Sequence, residues 1–188
     1  LVAVRDEFKD TYLMHWPLRK MPLAVYLPEP PEGLFEDPDG VIEAVRSGVL
    51  DWTDVAAPGV PGFRFVAAHA DADIPIAWAE EPDGDWYIAF CSYAVRPRRN
   101  LFDVEQILVT GRWGGGRLAS TDEIYQVVLH EMGHALGLLG HSDDTRDVMY
   151  PSASRREGHG LSDRDRNTLR ELYARGNRQI RGRRGSPD

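Results

Sequence analysis

Residues 130–151 read HEMGHALGLLGHSDDTRDVMYP, and this stretch decides both the fold and the chemistry of the chain. His130 and His134 are four residues apart, so on a helix their directions differ by about 40° and both imidazoles can converge on one metal ion. Glu131 is rotated by about 100° from His130, which keeps it out of the ligand set but close to a coordinated water. The pattern therefore predicts two metal ligands and one base.

The sequence before this stretch supports a helix. Residues 120–123 read STDE, a capping box in which the Ser120 hydroxyl and the Glu123 side chain satisfy each other's backbone N–H groups. We expect the helix to start there and to continue to Leu136, because Gly137 is typical of the left-handed residue that ends a helix.

Two histidines four residues apart also occur by chance on the exposed face of an ordinary amphipathic helix. The residues that follow favour the metal site instead. Gly137 allows a sharp turn, His141 offers a third imidazole, and Met149 precedes Tyr150 and Pro151 in what we expect to be a tight turn. Met149 could also simply fill the core, as most methionines do.

Residues 130–151 resemble the long zinc-binding consensus and Met-turn of the metzincin metalloproteases and, within them, of the matrixins. Residues 161–173 (LSDRDRNTLRELY) look like the C-terminal matrixin helix, and residues 72–78 (ADIPIAW) look like a strand of the N-terminal half. The resemblance covers residues 15–174, which implies a prokaryotic-type catalytic domain. Residues 1–14 would then be an N-terminal extension and residues 175–188 a disordered basic tail.

The resemblance implies a zinc-dependent endopeptidase that acts on peptides or proteins. His130, His134 and His141 would hold the zinc, Glu131 would be the general base, and Met149 would form the apolar floor below the metal. Asp165 would tie the last helix to the Met-turn or to the start of the chain, although it could equally be a solvated helix carboxylate.

The substrate would lie along an exposed edge strand within residues 86–95. Its pocket would be walled by Pro151, Ser152 and Ala153, which follow the Met-turn, and by the loop from Ser154 to Gly160.

One departure from the family pattern concerns the third ligand. The consensus places a histidine three residues after the glycine, but Gly140 stands there and His141 comes one residue later. Either the loop bulges to bring His141 to the metal, or another group completes the site. Asp143 and Asp144 are the alternative ligands, since carboxylate oxygen also binds zinc.

Two other functions stay open. Cys91 lies 39 residues before His130, a separation similar to that of the peptide deformylases, in which a cysteine joins the two helix histidines. That interpretation leaves Gly137, His141 and the Met-turn unexplained. A catalytically silent, metalloprotease-like binding module is the second alternative, although all the catalytic side chains are present.

The rest of the chain predicts an α+β fold. Helices are expected at residues 41–55 and 161–175, besides the one that starts at residue 120, and strands at residues 21–28, 63–70, 74–80, 85–95 and 104–112. Such an order indicates a mixed sheet covered by helices. The resemblance implies a twisted, mostly parallel five-stranded sheet with one antiparallel edge strand and three main helices.

Composition restricts the partners. The net charge is −8; residues 175–188 hold five Arg and one Asp, which leaves 17 basic and 29 acidic residues in residues 1–174, a charge of −12. An acidic body argues against nucleic acid, which needs a basic surface. One cysteine excludes an internal disulfide framework. No apolar run reaches 18 residues and residues 1–16 lack signal-peptide features, so we expect neither a membrane span nor a visible targeting signal.

Family resemblance favours a secreted or cell-surface location, and we expect a monomer. Three histidines fall outside the metal motif: His15, His69 and His159. Matrixins often carry a second, structural zinc and calcium, but the acidic, glycine-rich segment that frames those ions is not recognisable, so neither Ca²⁺ nor a second Zn²⁺ is assigned.

Overall fold

The computed structural model describes residues 4–5, 11–55, 59–80, 88–96, 101–113, 116–152 and 156–183. A two-stranded antiparallel ribbon precedes the main sheet and consists of β1 (Val4–Arg5) and β2 (Thr11–Tyr12). The main sheet contains β3 (Leu23–Tyr26), β4 (Phe63–Val66), β5 (Ile74–Trp78), β6 (Ala89–Arg96) and β7 (Leu101–Val109). The helices are α1 (Pro38–Leu50), α2 (Thr121–Ala135) and α3 (Asp163–Arg183).

The main sheet has the strand order β4-β3-β5-β7-β6. Neighbouring strands are parallel from β4 to β7, whereas β6 runs antiparallel to β7 and forms one edge. Only residues 97–100 separate β6 from β7, and a connection of that length closes a hairpin because a parallel crossover needs a dozen residues or more. The expected α+β fold, with its mostly parallel sheet and antiparallel edge strand, is confirmed.

Two buried tryptophans hold α2 against the body of the domain. The Trp52 indole N–H donates to the Leu129 carbonyl at 2.9 Å, and the Trp16 indole N–H donates to the Ala135 carbonyl at 2.8 Å. Both side chains are almost completely buried. A buried indole needs a hydrogen-bond partner, and each of these two finds one in a carbonyl of α2. The two contacts therefore fix the position of α2 and also bury apolar surface. The helix that carries the metal motif is therefore rigidly placed.

The first helix starts earlier than its apolar pattern predicted. Asp37 caps it by accepting from the Gly40 N–H at 3.0 Å, and Pro38 occupies the first helical position. Proline is favoured there because its fixed φ suits a helix and its missing N–H would have no partner. Beyond Leu50 the chain tightens into a 3₁₀ turn, Asp51–Asp54.

The last helix ends later than predicted. We expected it to stop at residue 175, before a disordered tail, but helical backbone continues to Arg183. Residues 176–183 (GNRQIRGR) contain no proline, and glycine costs a helix only about 1 kcal/mol per residue, so a helix that is already formed can propagate through them. Residues 184–188 lie outside the described part of the chain. Within that part, no helix combines the length and the apolar character that crossing a bilayer requires.

Candidate metal centre

The capping box places the start of α2 where the sequence predicted it. The Ser120 hydroxyl accepts from the Glu123 N–H at 3.2 Å, and the Glu123 carboxylate accepts from the Ser120 N–H at 2.9 Å. Arg117 also donates to Glu123 at 2.7 Å, and this hydrogen bond is the main reason why the pKa of Glu123 falls to about 2. At the other end, Gly137 has a φ of 101°, which favours glycine. A Cβ there would overlap the Met14 carbonyl.

The structure brings the three predicted ligands together. His130, His134 and His141 each offer a donor atom, and these atoms lie within 4.8 Å of one another. The ring centroids are 4.9 Å apart for the first pair, 5.3 Å for His130 and His141, and 5.0 Å for His134 and His141. His130 is the most enclosed of the three and His141 the most exposed. Such a group could hold a metal ion, with access to solvent on the His141 side.

Backbone carbonyls orient the two helix imidazoles. His130 Nδ1 lies 2.7 Å from the Val148 carbonyl, and His134 Nδ1 lies 2.7 Å from the Leu138 carbonyl. A carbonyl only accepts hydrogen bonds, so each Nδ1 carries the proton and each Nε2 keeps its lone pair for a metal. Outer hydrogen bonds of this kind are typical of metal-binding histidines. The donor set therefore fits a zinc ion.

The chain turns tightly where α2 ends, before His141. The Leu138 N–H donates to the Gly133 carbonyl at 2.9 Å, and the Leu139 N–H donates to the Gly137 carbonyl at 3.0 Å. These bonds compact the chain directly after α2, so that His141 reaches the other two imidazoles. Of the two possibilities left open by the sequence, the structure has the one in which His141 lies with the other two imidazoles.

The alternative carboxylate ligands are engaged elsewhere. Asp144 pairs with Arg146 at 2.7 Å, and Arg164 lies 3.3 Å from Asp143 and 3.6 Å from Asp144. Neither aspartate belongs to the histidine group. Asp147 belongs to no recognisable motif, yet it is buried and accepts from the hydroxyls of Ser142 and Ser162 at 2.6 Å each. It joins the His141 loop to the start of α3.

The side chain of Glu131 extends from α2 to the edge strand β6. Its Oε2 accepts from the Cys91 backbone N–H at 2.7 Å, which fixes the carboxyl group against β6. Burial raises the pKa of Glu131 to about 8 in the absence of a cation, while the Cys91 N–H opposes that shift. Burial also raises the pKa of the Cys91 thiol, and the negative charge of Glu131 raises it further to a smaller extent. The thiol is not in the ligand group, so this structure does not support the deformylase-like site.

Met149 and Asp165 link the turn around Val148 to the helices α2 and α3. Met149 is buried, and a Cβ on Gly133 of α2 would overlap its sulfur atom. Asp165 is 3% exposed and accepts from the backbone N–H groups of Val148 at 2.8 Å and Met149 at 3.4 Å. Asp165 is therefore a buried tie to this turn and not a solvated carboxylate.

The predicted pocket residues follow this turn. Pro151 is exposed and Ser152 is half-buried, while residues 153–155 of the predicted pocket wall lie outside the described residues. The three remaining histidines are not part of the metal group: His15 contacts the Trp16 carbonyl, His69 stacks edge-on against Tyr26, and His159 contacts Gln126.

The sheet, the helix with two histidines, the third histidine and the methionine turn define a matrixin-like metalloprotease domain. Residues 35–174 match the family model described as Matrixin, and the chain belongs to that family. It is 31% identical to Metalloendoproteinase 1 of Glycine max over 139 residues, which cover 69% of this chain and 44% of that protein. It is 33% identical to Matrilysin of Felis catus over 110 residues, 55% of this chain and 41% of that protein.

The chain thus spans less than half the length of these two relatives. Matrixins are metalloendopeptidases that use a catalytic zinc ion, and the three-histidine group suits that ion.

Proposed function

We propose that this chain is a zinc-dependent endopeptidase in which His130, His134 and His141 hold the metal and Glu131 is the general base. The observation that carries the proposal is the convergence of three imidazole donors within 4.8 Å, with a buried glutamate next to His130 on the same helix. When bound there, zinc supplies a Lewis acid that polarises a carbonyl and lowers the pKa of a coordinated water to about 7.

The charge state of the two helix imidazoles suits the binding of a cation. Burial is the main cause that lowers the pKa of His130 to about 3, and the charge of the neighbouring His134 is the second cause. Burial likewise lowers the pKa of His134. Both rings are therefore neutral at pH 7 and need release no proton before they bind a metal. Their Nδ1 hydrogen bonds hold the Nε2 atoms in position, which reduces the entropy lost on binding.

Glu131 would move the proton. It would accept a proton from the attacking water and then deliver it to the amine that leaves when the peptide bond breaks. Because the Cys91 N–H holds Oε2, we assign this transfer to Oε1. Met149, buried against Gly133, would support the helical turn that carries both zinc ligands of α2.

The substrate would pair with the free edge of β6. The Ile88 carbonyl accepts from Thr110 on the β7 side, while the Cys91 N–H points away from β7 to Glu131. Because backbone groups alternate along a strand, the backbone groups of Ala89 and the Cys91 carbonyl also face the free edge. An extended peptide could pair with them and place its scissile carbonyl near Glu131. Pro151, Ser152 and Ala153 would wall the pocket for one of its side chains.

Metal analysis combined with peptide cleavage tests the proposal. We expect about one zinc per chain, cleavage of an internal bond in a mixed peptide library, loss of cleavage with a chelator and recovery when zinc is added. Glu131→Gln should keep the zinc and lose at least about 100-fold in kcat, since general-base catalysis contributes about 10²–10⁴-fold. His141→Ala should lose zinc, whereas the matched control His69→Ala should not.

A wild-type chain that binds zinc, is folded and cleaves no peptide would contradict the proposal and support a silent binding module. We further propose that residues 15–174 act as a monomeric catalytic domain and that the protein is secreted or held at the cell surface, as family membership favours. Light scattering of the purified chain and zinc-dependent activity in culture medium check these two points; a stable dimer or purely intracellular activity would contradict them.

A further inference from the structure

His141 is held differently from the other two proposed ligands. His130 and His134 belong to α2, and each donates from Nδ1 to a backbone carbonyl. Within the described part of the chain, neither ring nitrogen of His141 has such a hydrogen bond. The ring is exposed and follows Gly140, and glycine restrains the backbone less than any other residue. The position of the His141 ring therefore depends on the residues that come after it.

Ser142, the residue after His141, is anchored through both its backbone and its side chain. Its N–H donates to the Met149 carbonyl at 2.7 Å, and its hydroxyl donates to Asp147 Oδ2 at 2.6 Å. The same hydroxyl accepts from the Asp144 N–H at 3.1 Å. Because Ser142 is fixed by these three bonds, the backbone that leaves His141 has little freedom to move.

Asp147 is the centre of this network. Its carboxylate is buried, and both of its oxygen atoms are engaged. Besides the Ser142 hydroxyl, Oδ2 contacts Arg164 Nε at 3.1 Å, and Oδ1 accepts from the Ser162 hydroxyl at 2.6 Å. A buried carboxylate needs a paired charge and hydrogen-bonded oxygen atoms, so the four side chains form one unit. Ser162 precedes α3 and Arg164 lies in its first turn, so this unit ties the loop after His141 to α3.

The network and the third imidazole border the same small cavity. The cavity has a volume of about 140 Å³, and its lining includes His141, Ser142, Asp147 and Arg164. Only Ser142 separates the Asp147 carboxylate from His141 along the path of bonds. A displacement of Ser142 would therefore move the imidazole directly.

We propose that Asp147 is a positioning residue for the third zinc ligand: acting through Ser142, it keeps His141 beside the other two imidazoles before the metal binds. This inference rests on the proposed function, because it requires His141 to be a zinc ligand. A ligand that is already held in place loses less conformational entropy on binding than a mobile loop side chain. Hydrogen bonds to carbonyls supply this restraint for the two helix histidines, and Asp147 supplies it for the third.

Two serine substitutions at the same carboxylate separate positioning from general stability. Ser142→Ala removes the hydroxyl next to His141, whereas the matched control Ser162→Ala removes the hydroxyl on the α3 side. The Ser162 hydroxyl also accepts from the Asp165 N–H at 3.1 Å, so the control should lower the Tm of the metal-free protein at least as much as Ser142→Ala does.

Zinc affinity should separate the two variants in the opposite sense. In a competitive zinc titration of the folded chain, Ser142→Ala should bind zinc about tenfold more weakly than wild type, the lower end of the range for outer partners of metal ligands. Ser162→Ala should stay within about threefold of wild type. Ser142→Thr keeps a hydroxyl at this position and should also stay within about threefold. Asp147→Asn keeps the shape of the side chain but loses the charge paired with Arg164, and it should weaken zinc binding about tenfold.

The inference fails alone if folded Ser142→Ala binds zinc as tightly as wild type, or if Ser162→Ala weakens zinc binding equally. Asp147 would then only tie the loop to α3. Zinc binding by Ser142→Thr that is as weak as that of Ser142→Ala would also overturn it, since the hydroxyl would not be the group that acts. If Asp147→Asn does not fold, the serine variants decide. A wild-type chain that binds no zinc would instead overturn the proposed function, and this inference with it.

Discussion

Replacing Asp165 with alanine should destabilise the domain and weaken its metal site together. The carboxylate is 3% exposed and accepts from the N–H groups of Val148 at 2.8 Å, Ser162 at 2.9 Å and Met149 at 3.4 Å. The carbonyl of Val148 in turn accepts from His130 Nδ1 at 2.7 Å. A single carboxylate thus connects the start of α3, the methionine turn and one proposed zinc ligand.

The expected magnitude follows from these bonds. Asp165→Ala leaves two well-bonded donors without an acceptor, one buried and one partly buried, and each such donor costs about 1–3 kcal/mol, so the free energy of unfolding should fall by about 2–6 kcal/mol. The bond from Met149 is long and adds little. In a domain of this size, a loss near 4 kcal/mol lowers Tm by about 8–16 °C. Zinc affinity should fall by about 10–100-fold, as it does when outer partners of metal ligands are removed.

Thermal unfolding of the metal-free protein and a competitive zinc titration measure the two effects. Asp163→Ala is the matched control, because Asp163 is an exposed carboxylate in the same first turn of α3 and should cost no more than about 1 kcal/mol. If Asp165→Ala is no more destabilising than Asp163→Ala, or if it leaves zinc affinity unchanged, the tie from α3 to the metal group through Val148 does not exist.

Two further substitutions test the support of α2. Gly133→Ala places a methyl group against the sulfur of Met149, so it should destabilise the domain by about 1–3 kcal/mol and weaken zinc binding. The control Gly62→Ala has free space for its methyl group and should have neither effect. Equal effects of the two substitutions in unfolding and zinc titrations would refute this prediction. Glu123→Gln keeps the capping box but loses the charge paired with Arg117. The folded-state pKa of Glu123, about 2, lies below its ordinary value of 4.5, so its stabilisation is complete above pH 4.5 and is lost as the pH falls toward 2. Wild type should therefore exceed Glu123→Gln in Tm by a few degrees at pH 7 and by much less near pH 2, and a gap independent of pH would contradict the ion pair.

Local signals in the sequence predicted the metal helix well. A capping box at Ser120, four-residue spacing of His130 and His134, and a glycine at 137 each depend only on near neighbours, so they specify where α2 begins, what it carries and where it ends. The strand segments were also recognisable from their apolar residues. The antiparallel pairing of β6 with β7 follows from the short connection between them.

The contacts that complete the site depend on residues far apart in the chain. The bond between Cys91 and Glu131 spans 40 residues, and the one between Gln126 and His159 spans 33. No periodicity in the sequence encodes such pairs. They arise only when α2 packs against β6 and residues 156–160 pack against α2. Gln126 was nevertheless detectable, since it lies four residues before His130 on the same side of the helix.

X-ray absorption spectroscopy of the zinc-loaded chain tests the central claim most directly. Three imidazole nitrogens should surround the ion at about 2.0–2.1 Å, together with oxygen from solvent. A sulfur neighbour at about 2.3 Å, which would place Cys91 on the metal, or only two imidazoles in the wild-type chain, would contradict the account.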